Sequence, residues 1–98
     1  MTSAPGEPEP GPEPAGALVF PTDFPIKIMG TNRLEFEPQM IAIVRSHAPD
    51  LDLSTVEVRQ SRAGNYLSVT VTIRAQSRAQ LDAIYFELTR HPWVKVVL

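Results

Sequence analysis

Residues 61–75 have the sequence SRAGNYLSVTVTIRA, which predicts a turn that leads into a long β-strand. Gly64 and Asn65 tolerate positive φ angles, so this pair favours a tight reversal of the chain. From Tyr66 onward the side chains alternate strictly, and the apolar set is Leu67, Val69, Val71 and Ile73. This alternation is typical of a strand that buries one face and exposes the other.

A second strand is predicted just before the turn, over residues 55–60. Polar and apolar side chains also alternate there, in the order Thr55, Val56, Glu57, Val58 and Arg59. We predict that these residues pair antiparallel with the strand that begins at Tyr66, across a loop of about five residues.

The residues before this hairpin predict a strand followed by a helix. Residues 24–30 alternate, and their inward set is Phe24, Ile26 and Ile28. The helix is expected to begin between Arg33 and Pro38 and to end near His47, because Pro49 prevents its continuation. Its apolar residues fall close to helical spacing at Phe36, Met40, Ile43 and Val44.

The residues after the hairpin predict a second helix and a last strand. Ser77 is a good N-cap, and Gln80 three residues later completes a capping box. The apolar residues that follow form a stripe at i, i+3, i+4 and i+7, which packs on a sheet; they are Leu81, Ile84, Tyr85 and Leu88. Pro92 ends the helix, and residues 93–98 alternate with an inward set of Val94, Val96 and Leu98.

The order strand, helix, strand, strand, helix, strand is the split βαβ pattern. Right-handed crossovers place both helices on one face of an antiparallel sheet with the strand order 4-1-3-2. We therefore predict an α+β fold, a ferredoxin-like βαββαβ two-layer sandwich. The sheet face without helices is a candidate interaction face, and its positions include Lys27, Tyr66, Ser68, Thr70 and Arg74.

Length and composition limit the class of protein. A chain of 98 residues predicts one folded domain, placed at residues 18–98, with little volume for a deep cavity. The absence of cysteine excludes disulfides, thiol catalysis and thiolate metal sites, and it suits a reducing cytoplasm. No apolar run approaches the roughly 20 residues that span a membrane, and no secretory signal pattern is present, so we expect a cytoplasmic protein without a membrane partner.

Residues 1–17 differ in composition from the rest of the chain. They contain Glu7, Glu9 and Glu13, no basic residue, and a series of prolines at positions 5, 8, 10, 12 and 14. This segment has too few apolar side chains to form a core, so it is predicted to be a disordered tail. Eleven acidic residues less the three of the tail leave eight in the domain against nine basic ones, a net charge of +1.

Several functional classes find no support in these residues. An RNA-binding sheet of this topology stacks bases on central aromatic residues, whereas the exposed central positions here include Lys27, Ser68 and Thr70. His47 and His91 stand at helix ends, where the helix dipole favours a cation, and two histidines alone make a poor metal site. No catalytic constellation is present. We predict a non-enzymatic protein with no nucleic-acid partner, metal or cofactor.

Four segments together resemble the YbeD-like family of small bacterial proteins, a domain of unknown function. They are Phe20-Pro21 through Lys27-Ile28-Met29-Gly30, His47-Ala48-Pro49, residues 64–71 (GNYLSVTV) and residues 81–88 (LDAIYFEL). The resemblance covers residues 20–98 and implies a ferredoxin-like domain similar to the regulatory amino-acid-binding ACT domains. It implies no reaction and no catalytic residue.

The loop after strand one is the candidate ligand site, and it contains Gly30, Thr31, Asn32 and Arg33. Its backbone donors and the Arg33 guanidinium could hold an anion beside helix one. The similarity to ACT domains implies a small effector in this loop, while acylphosphatases of the same fold use an arginine there. A purely structural alternative is a turn in which Thr31 or Asn32 caps helix one.

Three functions stay open at this point. The first is a regulatory module with a small-molecule effector, the second is a protein-binding adaptor that uses the open sheet face, and the third is an acylphosphatase-like hydrolase. The chain is expected to be a monomer or a weak homodimer. The edge at residues 55–60 could extend a sheet in a dimer, although Glu57 and Arg59 could equally discourage pairing.

Overall fold

The computed structural model describes residues 18–98. The strands and helices in chain order are β1 (Thr22–Thr31), α1 (Phe36–His47), β2 (Glu57–Gln60), β3 (Tyr66–Ala75), α2 (Arg78–Thr89) and β4 (Val94–Val97), with a 3₁₀ turn at Leu53–Thr55 before β2. The predicted disordered tail, residues 1–17, lies outside the described residues. Each predicted helix and strand is present, and β1 extends beyond the predicted 24–30 at both ends.

The four strands form one antiparallel sheet in the order β2-β3-β1-β4, which confirms the predicted order 4-1-3-2. The two long strands occupy its centre, where β1 pairs with β3 from Thr22 opposite Ala75 to Thr31 opposite Tyr66. The loop between β2 and β3 spans residues 61–65, as expected, and Gly64 takes a φ of 80° in it. The ferredoxin-like prediction is therefore confirmed.

A single layer of apolar side chains joins the helices to one face of the sheet. The sheet contributes Ile26, Ile28, Val69, Val71 and Ile73, and the helices contribute Phe36, Met40, Val44, Leu81, Ile84 and Leu88. All of these residues are buried. Tyr85 lies at the margin of this layer, where burial raises the pKa of its hydroxyl, and its hydroxyl donates to Leu98 O at 3.3 Å.

Gln80 connects the start of α2 to the end of α1. Ser77 caps α2 as predicted, since its hydroxyl accepts from Gln80 N at 3.1 Å. The Gln80 side chain does not return to the Ser77 amide of a capping box; its Oε1 accepts from Gln76 N at 2.7 Å and its Nε2 donates to His47 O at 2.8 Å. His47 Nε2 lies 2.7 Å from Glu87 Oε1, which gives a second link between the helices.

The predicted start of the second strand at Thr55 is wrong. Asp52 nucleates the 3₁₀ turn instead, because its carboxylate accepts from Ser54 N at 3.0 Å and from Ser54 Oγ at 2.7 Å. Thr55 Oγ1 then donates to Asp52 O at 2.7 Å. These local side-chain bonds compete successfully with strand pairing, so β2 begins only at Glu57.

The predicted faces of the last strand are wrong after Val94. The pairing of β1 with β4 changes register between Met29 and Gly30, so that Lys95 forms a bulge. Beyond this bulge Val97 pairs with Ile28 and packs against the core, while Val96 pairs with Met29 on the open face. Leu98, which exchanges hydrogen bonds with Lys27, lies on the open face as well.

Replacement of Leu81 by aspartate tests the assigned core. The Leu81 side chain is 4% exposed, and burial of an unpaired carboxylate costs several kcal/mol, comparable with the total stability of a small domain. We expect Leu81→Asp to abolish the cooperative thermal transition in circular dichroism. Ala79→Asp, which adds the same group at an exposed position of α2, should melt close to the unmodified chain; equal melting of both variants would refute the assignment.

The Asp52 turn predicts a lowered carboxyl pKa. The Ser54 hydroxyl, and then the Ser54 amide, stabilise the carboxylate and hold the pKa of Asp52 below its ordinary value. Its stabilising contribution is therefore present above that ordinary value and is lost as the pH falls through the lowered one. Ser54→Ala should raise the pKa measured by carbon-detected NMR titration, and an unchanged titration curve would contradict this cause.

Candidate functional site

The structure places two of the predicted loop residues, Gly30 and Thr31, in the last two positions of β1, because they still pair with β3, and at Gly30 only glycine fits. An added Cβ on Gly30 would collide with the carbonyl oxygen of Trp93 and with the ring of Phe36. The Thr31 amide donates to the same Trp93 carbonyl at 3.0 Å. Gly30 and Thr31 therefore fix the junction between β1, α1 and the segment that leads into β4.

Asn32 binds this loop to the β2–β3 loop. Its backbone amide donates to Asn65 O at 3.1 Å, and its side-chain Nδ2 donates to Gly64 O at 2.7 Å. The predicted capping of α1 by Thr31 or Asn32 is wrong, because the N-cap position is occupied by Glu35 and has no side-chain cap bond. Asn32 is used instead to hold two loops together.

Arg33 is the exposed member of the predicted ligand site. Its guanidinium carbon lies 4.3 Å from the centroid of the Trp93 ring, within the range of a cation–π contact. The ring centroids of His91 and Trp93 are 5.1 Å apart, and His91 Nδ1 accepts from the Trp93 backbone amide at 3.1 Å. The His91 Nε2, 2.9 Å from Gln39 Oε1, is then the protonated nitrogen of the neutral ring and donates to that amide oxygen.

This geometry limits how the loop could hold an anion. The Thr31 and Asn32 amides are already bonded to carbonyl groups, and Glu37 stands in the first turn of α1, where it already occupies the favourable end of the helix dipole. Only the Arg33 guanidinium of the four predicted residues offers an exposed charged donor. The predicted ligand residues therefore mainly connect neighbouring segments of the fold, and Arg33 is the exposed cation among them.

The open face of the sheet brings together all five residues predicted for the interaction face. Lys27 stands opposite Thr70, Ser68 lies opposite Met29, and Tyr66 lies opposite Thr31. Arg74 lies opposite Asp23 and donates to its carboxylate at 3.1 Å. Rows of hydroxyl groups on β3 therefore occupy the middle of this face, with charged side chains around them.

Sequence reasoning missed the apolar side of this face. Because of the bulge at Lys95, Val96 and Leu98 join Met29 there, and they are 44% and 64% exposed. Tyr66, which is 46% exposed, is the first residue of β3, and β1 separates β3 from β4. Only the change of register in the structure places Val96 and Leu98 on this face, since the alternation of residues 93–98 predicts that both side chains point into the core.

Metal binding and membrane insertion find no site in the part of the chain that the structure describes. Among residues 18–98, no group of three or more His, Cys, Asp or Glu side chains is placed to hold a metal ion. Within the same range, no helix combines the length and the apolar character required to cross a bilayer.

Replacement of Asn32 by aspartate tests the bond between the two loops. The isosteric carboxylate cannot donate to Gly64 O and would face it with negative charge, which should lower stability by about 1–3 kcal/mol at neutral pH. We expect a lower melting temperature and amide NMR shifts at residues 61–65, with a smaller deficit at acid pH where the carboxyl group is protonated. Asn65→Asp, at an exposed side chain, is the control; equal effects of the two variants would contradict the assigned bond.

Comparison with known proteins agrees with the fold and the sequence resemblance. A family model described as "Protein of unknown function (DUF493)" matches residues 16–98. A UPF0250 protein of Paraburkholderia phytofirmans is 56% identical over 79 residues, which cover 81% of this chain and 89% of that protein. A UPF0250 protein of Nitrosomonas europaea is 52% identical over 81 residues, with 83% and 93% covered.

Solved structures of one ACT domain share the architecture. The solution structure of the ACT domain from GTP pyrophosphokinase of Chlorobium tepidum aligns with a TM-score of 0.60 at 17% identity, over 78% of this chain and 84% of that one. The crystal structure of the same domain gives 0.56 at 18% identity, over 79% and 97%. At these identities the likeness concerns the fold only. The expected resemblance to the YbeD-like family is confirmed: the chain belongs to the DUF493 family of UPF0250 proteins, and its fold is that of the ACT domains.

Proposed function

We propose that this protein is a small, non-enzymatic regulatory module that acts by binding another protein on the open face of its sheet. The observation that carries the proposal is the composition of this face. It combines the half-buried Met29 and the exposed Val96 and Leu98 with hydroxyl groups on β3 and charged side chains of both signs. Exposed apolar side chains bordered by polar ones are typical of protein interaction sites.

The charges on the open face favour a protein partner over a nucleic acid. Lys27, Arg59 and Arg74 are accompanied by Asp23 and Glu57, and Arg74 is already paired with Asp23. A nucleic acid would require a more uniformly basic surface. A partner segment with apolar side chains along one side and charges of both signs complements this face. A reducing cytoplasm is the proposed setting, in accord with the cysteine-free chain.

A small effector at the loop after β1 is the second candidate function. It is supported by Arg33, whose exposed guanidinium suits a carboxylate or phosphate group, and by the ACT-like fold. Amide NMR titration with amino acids and small phosphorylated metabolites separates the two functions. Saturable shifts centred on Gly30, Thr31, Asn32 and Arg33 would favour the effector.

The hydrolase has the weakest support of the three functions. A phosphate would need several free backbone donors beside Arg33. The Thr31 and Asn32 amides, which precede Arg33, are engaged with Trp93 O and Asn65 O.

A site-specific photo-cross-linker on the open face tests the proposed function. Placed at Met29 in the full chain in cells, it should give a discrete adduct with a partner identified by mass spectrometry. The same group at Ala42, exposed on α1, should not give this adduct. Val96→Asp, which adds a charge to the apolar side of the face, should reduce the Met29 adduct severalfold. Identical adducts from Met29 and Ala42, or no effect of Val96→Asp, would contradict binding on this face.

A further inference from the structure

Charge is distributed unequally between the two ends of the sheet. One end is formed by residues 30–37, 61–66 and 89–95, which the backbone amides of Thr31 and Asn32 join by hydrogen bonds. We call it the basic end, because its four basic and two acidic side chains give a net charge of +2. The basic side chains, all of them exposed, are Arg33, Arg62, Arg90 and Lys95, and the acidic ones are Glu35 and Glu37.

The opposite end of the sheet has the reverse charge. It is formed by residues 18–23, 48–56 and 74–78, and Thr22 pairs with Ala75 there. Three acidic and two basic side chains give this end a net charge of -1; they are Asp23, Asp50, Asp52, Arg74 and Arg78. The N-terminal segment with its three glutamates joins the domain at this end, because residue 18 leads into β1. The end that complements the charge of the segment is therefore the distant, basic one.

The basic end also offers apolar surface. The Leu34 side chain is 91% exposed, and the half-buried Trp93 carries the Arg33 guanidinium at 4.3 Å from its ring centroid. A guanidinium over an aromatic ring can still donate from its edge to a carboxylate, and aromatic surfaces are the usual recognition sites of proline-rich segments. This combination suits a ligand in which carboxylates alternate with prolines.

We propose that residues 7–10 of this same chain, with the sequence EPEP, dock on the basic end of the domain. Glu9 pairs with the Arg33 guanidinium, and the prolines on either side of it pack against Leu34 and the accessible part of Trp93. The remaining basic side chains of this end add attraction to Glu7. The docked segment occupies Arg33, so an anion that needs this guanidinium competes with it.

The length of the chain before the domain fits this contact. β1 has ten residues, which separate the two ends of the sheet by about 30 Å at a rise of ~3.3 Å per residue. A proline-rich segment extends by about 3.1 Å per residue. From residue 18, Glu9 therefore reaches about 28 Å and Glu7 about 34 Å, whereas Glu13 reaches only about 16 Å. The first two glutamates reach the basic end, and the third does not.

Attachment to the domain makes even a weak contact effective. A short linker gives the attached segment an effective concentration in the millimolar range, so a dissociation constant on the order of 10⁻³ M for the separate segment would leave about half of the full chain docked. The contact depends on charges at the surface, where the Debye length is only about 8 Å at physiological ionic strength. Added salt should therefore release the segment.

A spin label in the N-terminal segment tests the proposal. The chain contains no cysteine, so Gly6→Cys provides a single attachment point for a nitroxide. In the full chain, amide NMR signals of residues 31–37, 61–66 and 89–95 should lose more intensity than those of residues 74–78, although the latter lie at the end where the segment joins the domain. High ionic strength should restore the lost intensity.

Matched variants identify the groups in contact. Glu9→Lys in the labelled chain should reduce the intensity loss at the basic end severalfold, while Glu13→Lys, the same change outside the reach of this end, should leave most of it. On the domain, Arg33→Gln and Arg62→Gln should each reduce it, and the second variant leaves the Arg33 contact with Trp93 intact. Lys27→Gln, which removes an exposed cation from the open face, should have little effect.

Three results would overturn the proposal. They are the absence of a selective intensity loss at the basic end, equal effects of Glu9→Lys and Glu13→Lys, and equal effects of Lys27→Gln and the two arginine variants. A fourth is transfer of the effect to an unlabelled, isotope-enriched chain mixed with the labelled one, which would identify a second copy as the site of docking. The experiment uses the purified chain alone, so its outcome is independent of a protein partner on the open face.

Discussion

The fold depends on a single layer of apolar side chains between two helices and one face of the sheet. A domain of this size has only one such layer, and Ile26 and Ile28 on central β1 are fully buried in it. Because both helices pack on that side, the opposite face of the sheet and its two edge strands are exposed to solvent. The surfaces available for recognition are thus a direct consequence of the small core.

Strong periodic patterns made most of this architecture predictable. The alternation in β3 and the helical stripe of α2 each report burial on one side, and burial dominates the free energy of such elements. Two failures arose where a local interaction overrode the pattern. The Asp52 carboxylate bound Ser54 and converted the expected strand start into a 3₁₀ turn, while the bulge at Lys95 reversed the faces of the residues after it.

The candidate sites were predictable in position but not in detail. The five residues expected on the open face share it, because strand alternation fixes their side, whereas Val96 and Leu98 became members only through the bulge. At the end of β1 and in the loop that follows, Gly30 and Asn32 suggested a ligand site from their residue types. Gly30 is required by a close approach of Phe36 and Trp93, a long-range contact that residue type alone does not reveal.

The two hydrogen bonds of Asn32 have a consequence for how the loops move. They join the segment before α1 to the tip of the β2–β3 hairpin, so the two loops cannot open independently without breaking both bonds. Their amide hydrogens should then exchange with solvent in one common opening step. A molecule that holds either loop closed would lower the free energy needed to order the other, and by thermodynamic linkage the effect would be equal in both directions.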